Sequence, residues 1–300
     1  MKTSKGREYK GRVYVNVKPY TTDTGGYDMK ITDKKMGQFR EVVREFDSLN
    51  EFFNWITSTP YNKHFSSPSD QHSTTGSKWF TGTESFDEAV GFLRNGWEKG
   101  TQDITKKLKS TGITPTFKTS TRPTYGVAGY QACVPRYLQG VPESMITRKQ
   151  VSQKQKVVTL TKSVNYHGGT SIEKMIEESV KAIQIVNNIE AQGVRCNVNI
   201  ILGSQKNNHK ELCKIRIKSA NERLSIGKLA FPLANPSMLR RLLFRYIEVA
   251  DTVTRDFVSG YGTPISDYEM LGYCKNNNEY LIPAFFKKDV ESIKSVDEIL

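Results

Sequence analysis

Val157-Val158-Thr159-Leu160-Thr161, then Asn165-Tyr166-His167-Gly168-Gly169, then Ile172-Glu173-Lys174-Met175-Ile176 follow one another as a strand, a loop and the start of a helix. The first run is β-branched and apolar, as a strand requires. From Ile172 to Glu190 the apolar residues Ile172, Met175, Ile176, Val180, Ile183, Val186 and Ile189 recur at the helical period. Thr170 followed by Glu173 forms a capping box at the start of that helix, and Gly193 stands where a left-handed C-terminal residue belongs. Val194 to Leu202 is then predicted as a second strand and Leu212 to Ile217 as a third. Strand, helix and strand in so short a span make a βαβ unit, whose strands run parallel with a right-handed crossover.

The expected fold class is therefore α/β, with a βαβ-containing core over residues 151–260. Residues 1–150 are expected to form an α+β N-terminal region with basic aromatic loops, and 261–300 an acidic tail packed on the core. No clean linker separates the first two regions, which leaves open an arrangement in which the N-terminal half wraps the core. Arg12 to Lys18 alternates as a strand, and Phe39 to Ile56 carries apolar residues at a helical period broken near Asp47-Ser48. Tyr61 to Lys78 has the Ser, Thr, Pro, Gly and His composition of a surface loop. Ser85 and Glu88 cap a helix that ends or bends at Gly96, and a basic helix resumes over 101–109. Pro236 opens a helix running to about Val258, with Leu239, Leu242, Leu243, Tyr246, Ile247 and Ala250 as its buried stripe and Arg240, Arg241 and Arg245 on the polar flank. The tail is expected to end in an acidic amphipathic helix.

Charge is distributed unevenly. The net charge is +13, and residues 94–162 hold 13 Lys or Arg against 3 Asp or Glu, while 205–245 hold 10 against 2 and 246–300 hold 5 against 10. Such asymmetry is the electrostatic footprint of a surface that attracts polyanions, or simply of a soluble basic protein. Between 125 and 137, Tyr125, Tyr130, Arg136 and Tyr137 interleave aromatic and basic groups among Gly and Pro turns. These are the ingredients of base stacking with phosphate neutralisation, and equally of a half-buried loop. Lys106, Lys107, Lys109, Arg136, Arg148, Lys149, Arg240 and Arg241 are the candidate phosphate contacts.

Other functional classes leave weaker traces. No apolar run approaches the ~20 residues of a membrane span, and no apolar segment follows the basic N-terminus, so neither a membrane partner nor a secretory leader is expected. Cys133, Cys196, Cys213 and Cys274 are scattered without a paired spacing, which predicts free thiols rather than a metal or redox site. No cofactor is expected. His167-Gly168-Gly169-Thr170, between a strand and a helix N-terminus, is a candidate anion cradle, with His167 as the base should the protein be an enzyme acting on a phosphate-containing substrate. Trp55, Trp79 and Trp97 are predicted as hydrophobic anchors, and Trp97 beside Gly96 offers a contact for another chain, such as a second copy in a homo-oligomer.

Several short blocks carry a resemblance. Trp79-Phe80-Thr81-Gly82, Ser85-Phe86-Asp87-Glu88-Ala89, Gly96-Trp97-Glu98-Lys99-Gly100 and Ala234-Asn235-Pro236-Ser237-Met238-Leu239-Arg240-Arg241 with Phe244 resemble a family of uncharacterised proteins of tailed bacteriophages. The resemblance implies a phage origin, in the cytoplasm of an infected host or in the virion, with phage or host proteins as partners, whether as a virion component or as an inhibitor of a host defence protein. The stretch from Ser163 to Ser171 is similar to the opening of a von Willebrand factor A domain, whose loop holds a divalent cation through Asp-x-Ser-x-Ser. Asn165 stands where that carboxylate would be, and a neutral amide binds Mg²⁺ far more weakly, so the similarity implies the fold without the metal.

Overall fold

A computed structural model describes residues 14–19, 29–110, 121–150, 156–274 and 278–286, with backbone alone at 14–19, 110, 121–123 and 148–150. Its strands are β1 (Tyr14–Pro19), β2 (Lys30–Met36), β3 (Phe39–Phe46), β4 (Thr121–Gly126), β5 (Gln131–Ala132), β6 (Met145–Gln150), β7 (Val157–Ser163), β8 (Arg195–Lys206), β9 (His209–Lys218), β10 (Thr263–Pro264) and β11 (Glu279–Ile282). The helices are α1 (Leu49–Ser58), α2 (His72–Thr75), α3 (Lys78–Thr81), α4 (Phe86–Asn95), α5 (Glu98–Ser110), α6 (Val134–Leu138), α7 (Ile172–Ala191), α8 (Ile226–Ala234), α9 (Phe244–Val249) and α10 (Asp267–Met270).

The βαβ unit is present as β7, α7 and β8, and its two strands are parallel. The fold is mixed α/β. One sheet runs in the order β1-β2-β3-β9-β8-β7-β11, with β10 paired to the end of β8. Both faces of its centre are buried, so consecutive residues of β7 (Leu160 to Ser163) and β8 (Val198 to Ser204) are buried whether apolar or polar. Ile200, Cys213 and Ile215 face the main core beneath α1, α4, α5, α7 and α8, whereas Val43, Ile201 and Leu212 point the other way, against Ile265, Met270 and Leu281. Left-handed Asn207 (φ 51°) lets β8 fold back on β9 as an antiparallel hairpin.

Three expectations change at this level. Phe39–Phe46 is a strand, not a helical turn, and pairs in parallel with β9; Val42 and Val43 are both buried because that strand is covered on both faces, and adjacent apolar residues fit a helical period as well. The helix begins only at Leu49, where Ser48 Oγ accepts from the Glu51 amide at 3.1 Å and Glu51 accepts from the Asp47 amide at 2.7 Å. With β2 and β3 in the sheet and α1, α4 and α5 in its main core, residues 29–110 and 156–286 share one core rather than dividing at 150. At α7 the cap lies one residue later than expected, Ser171 Oγ accepting from the Lys174 amide at 3.3 Å, while Gly193 takes the left-handed conformation (φ 89°) as expected. The expected acidic helix falls outside the described residues apart from the segment up to Phe286.

Polar groups clamp this core. Arg44 of β3 is buried and donates to Glu211 of β9, to Thr252 Oγ1 at 3.1 Å and to Asp251 at 2.6 Å. Burial by itself would raise the Glu211 carboxyl, but Arg44, His209 and Tyr246 more than offset it and hold it below the ordinary carboxylate value. Glu248 of α9 meets Ser73 and Tyr261, whose hydroxyl donates to it at 2.5 Å. The segment at 61–78 therefore lies against the core, with Asn62, Phe65 and Ser73 buried, rather than running free as a surface loop.

Candidate nucleic-acid interface

The second sheet, in the order β4-β6-β5, is small, and among the described residues none of its strands pairs with the large one. Ile146 of β6 pairs with Tyr125 on one side and Gln131 on the other. Gly129 makes that turn possible, since a Cβ there would lie 2.2 Å from the Ile146 carbonyl oxygen. Pro135 starts α6, and the Cys133 amide donates to the Ser144 carbonyl at 2.7 Å, which draws α6 alongside β6. Arg136 donates through Nε to the Glu143 carbonyl at 3.0 Å and lays its guanidinium over the Tyr125 ring at 4.2 Å.

The sheet presents apolar side chains to solvent. Tyr125 is 48% exposed, Tyr130 59% and Tyr137 69%, and Val127, Val134 and Leu138 are exposed between them. A soluble protein scatters such residues singly; so many within fourteen positions form a patch with a use. The composition supplies its charge, since residues 105–156 hold ten Lys or Arg and a single acidic residue, Glu143. Arg148 and Lys149 fall on β6, opposite Pro123 and Arg122, with side chains outside the described residues.

Lys106, Lys107 and Lys109 are exposed on the last turns of α5, where cations also suit the helix C-terminus. Lys106 and Lys107 border a groove of about 1400 Å³ walled by Trp79, Phe92, Trp97 and Ile176. Glu88, Asp103 and Glu173 line it too, so the groove itself carries both signs of charge. The tryptophans diverge from a common role as anchors. Trp55 and Trp97 are buried, and the Trp97 ring sits so close over Gly100 that a Cβ there would approach it to 1.9 Å. Trp79, by contrast, is 86% exposed at the groove, and nothing in its sequence neighbourhood distinguishes it.

Arg240 and Arg241 are not phosphate contacts. Both are buried, and every hydrogen bond they make is internal. Arg240 donates to the carbonyls of Phe80 at 2.6 Å, Gly168 at 2.8 Å, Thr170 at 3.1 Å and His167 at 3.3 Å. Arg241 donates to Thr83 Oγ1 at 2.7 Å and to the carbonyls of Thr83 at 2.8 Å, Ser73 at 2.9 Å and Gly76 at 3.0 Å. Burial lowers the basicity of both. The cause is the packing around this helix. Met238–Leu243 is a π-helix with α2, α3, α4 and α8 packed around it, so all six of its residues are buried and no polar flank is left to solvent.

The same contacts overturn the anion cradle at His167-Gly168-Gly169-Thr170. The loop turns three carbonyl oxygens onto Arg240, so it serves a cation belonging to its own chain. Its helix N-terminus is also occupied: backbone and Ser171 hydrogen bonds hold the Glu173 carboxyl below its ordinary value, which puts a carboxylate where an external anion would bind. Asn165 is likewise committed, accepting from the Gly203 amide at 2.9 Å and donating to the Ile265 carbonyl at 3.0 Å. His167 stays exposed at the mouth of a cavity of about 350 Å³ between the β7 and β8 ends and Gly260–Pro264.

Among the described residues no helix is long and apolar enough to cross a membrane. No curated protein matches the chain, and no solved structure does. Residues 16–300, nearly the whole chain, match the family described as Domain of unknown function (DUF7192), and the protein belongs to that family.

Proposed function

We propose that the protein binds nucleic acid, without sequence selectivity, through the basic arm that runs from the end of α5 across the small sheet. The observation that carries this reading is the ten-to-one excess of Lys and Arg over acids at 105–156, joined to an exposed Tyr-Arg surface at Tyr125, Tyr130, Arg136 and Tyr137. A surface of that sign releases counterions when it meets phosphates, so affinity is electrostatic at base and indifferent to sequence. The short blocks around Trp79, Trp97 and Met238 support a phage origin, and binding of this kind suits a protein of an infected cell or a virion.

Titrating salt against labelled DNA and RNA checks the proposal. Log affinity is expected to fall linearly with log salt concentration, with a slope near 0.9 per duplex phosphate engaged. Absence of binding at low salt, in protein freed of copurifying nucleic acid, would remove it. A second reading rests on Val127, Val134 and Leu138: exposed aliphatic side chains beside the tyrosines suit a phage or host protein partner, and that reading takes precedence if the salt titration shows nothing.

A further inference from the structure

We infer that the ligand of the small sheet is single-stranded nucleic acid, held by bases stacking on Tyr125 and Tyr137 beside Arg136. The inference rests on the nucleic-acid reading above and narrows it. In a duplex the base faces are already stacked on one another, so only phosphates and groove edges remain to a protein surface. Lysines and arginines alone satisfy that ligand, and aromatic faces add nothing to it. An unpaired strand offers both phosphates and free base faces, and every base has such a face, so the match tolerates any sequence.

Two features favour the unpaired strand. Tyr125 is 48% exposed on a small sheet that, among the described residues, does not pair with the large one, and Tyr137, 69% exposed on α6, is the residue next to the Arg136 whose guanidinium covers Tyr125. A planar guanidinium over a ring makes a ready slot of alternating π and cationic surfaces. Charge complementarity selects a polyanion as the occupant over a second copy of this basic chain, because like would face like across a two-fold contact: the arm's one acid is Glu143.

The test uses the full chain and two probes of equal length, a mixed-sequence DNA strand and the same strand annealed to its complement, read by fluorescence anisotropy at one salt concentration. The single strand is expected to bind at least tenfold more tightly. Tyr137→Ala and Tyr125→Ala are expected to weaken single-strand binding by roughly five- to a hundredfold each, and duplex binding by much less. Tyr137→Phe, which keeps the ring, is expected to bind as the unaltered protein does. A strand carrying 5-iodouracil should crosslink on irradiation to Tyr125 or Tyr137 of the unaltered chain, a readout that needs no variant to fold. Salt-dependent binding with duplex equal to or better than single strand, or crosslinks only at lysines, would overturn the single-strand assignment and leave the broader reading standing. Binding to neither probe would overturn both, and a dimer broken by Leu138→Glu would then place a second copy on the patch.

Discussion

Arg241 and Arg136 are the same residue put to opposite uses. Arg241 lies in the main core, wrapped by the Ser73, Gly76 and Thr83 carbonyls, and holds the segment at 73–83 against the π-helix. Arg136 lies on the short helix α6, its guanidinium over the Tyr125 ring and its Nε donating to the Glu143 carbonyl at 3.0 Å. The contrast extends to their surroundings. The large sheet buries cations against backbone carbonyls or carboxylates such as Glu211, whereas Lys106, Lys107 and Lys109 are exposed, in a stretch of sequence, 105–156, that holds ten Lys or Arg and one acid. Net charge along the sequence does not separate the two, because a buried arginine and an exposed one count alike. What separates them is whether the chain can bring enough oxygen acceptors to a guanidinium to replace its water.

Substitution should break the comparison most visibly on the core side. Arg241→Met is expected to cost on the order of 3–5 kcal/mol, since the buried carbonyls of Ser73 and Thr83 and the part-buried one of Gly76 each lose a donor at about 1–3 kcal/mol before any relaxation. Urea unfolding measures it, and Arg241→Lys should recover little, because an ammonium cannot reach the fork of acceptors that a guanidinium spans. A loss below about 0.5 kcal/mol, the range of ordinary surface changes, would mean that the clamp is not structural.

Next in size is a pH effect at Lys162, the buried cation of β7. Its ammonium donates to the carbonyls of Pro283 and Ala284, with the Tyr166 and Phe286 rings beside it. Burial pushes its pKa down from 10.5 to about 7, against the pull of Glu178 and Asp267 and with a further push from Lys181. The unfolded chain keeps this proton up to the ordinary lysine value while the folded chain has already released it, so stability should rise with pH between these limits. The slope is at most about 1.4 kcal/mol per pH unit, and Lys162→Met should flatten it. Thermal midpoints across pH 7 to 10 in both proteins supply the check, and parallel curves would refute it.

A smaller effect sharpens the placement of the α7 cap. Ser171→Ala is expected to cost about 1 kcal/mol and Thr170→Ala less, by urea midpoint, with the reverse order contradicting the observed cap.

These contrasts also mark what was legible in the sequence. The unit β7-α7-β8 was, because a twenty-residue amphipathic helix between apolar strands leaves a periodicity that tertiary context does not disturb. The cap slipped by one residue because Thr170 and Ser171 both carry a hydroxyl and both stand near the first turn. The strand Phe39–Phe46 was hidden by burial on both faces, which replaces alternation with a run. The arm's tyrosines were visible as a pattern but their exposure was not, since the same letters build a half-buried loop. Arg240 and Arg241 were unreadable from a helical wheel, because a wheel assumes one solvent-facing side and this helix is covered on all sides. Trp79 reads as an anchor like the other tryptophans, and its exposure leaves no mark in the sequence.

The central claim is that the arm's cations meet a polyanion while the core's cations hold the fold, and one pair of measurements on one variant tests it. Lys106→Ala/Lys107→Ala/Lys109→Ala/Arg136→Ala should unfold in urea within about 0.5 kcal/mol of the unaltered protein per site. On a labelled strand, the same variant should show a log-log salt slope smaller by about 0.7 for each phosphate contact removed. An unchanged slope, or a collapse in stability, would contradict that division of labour.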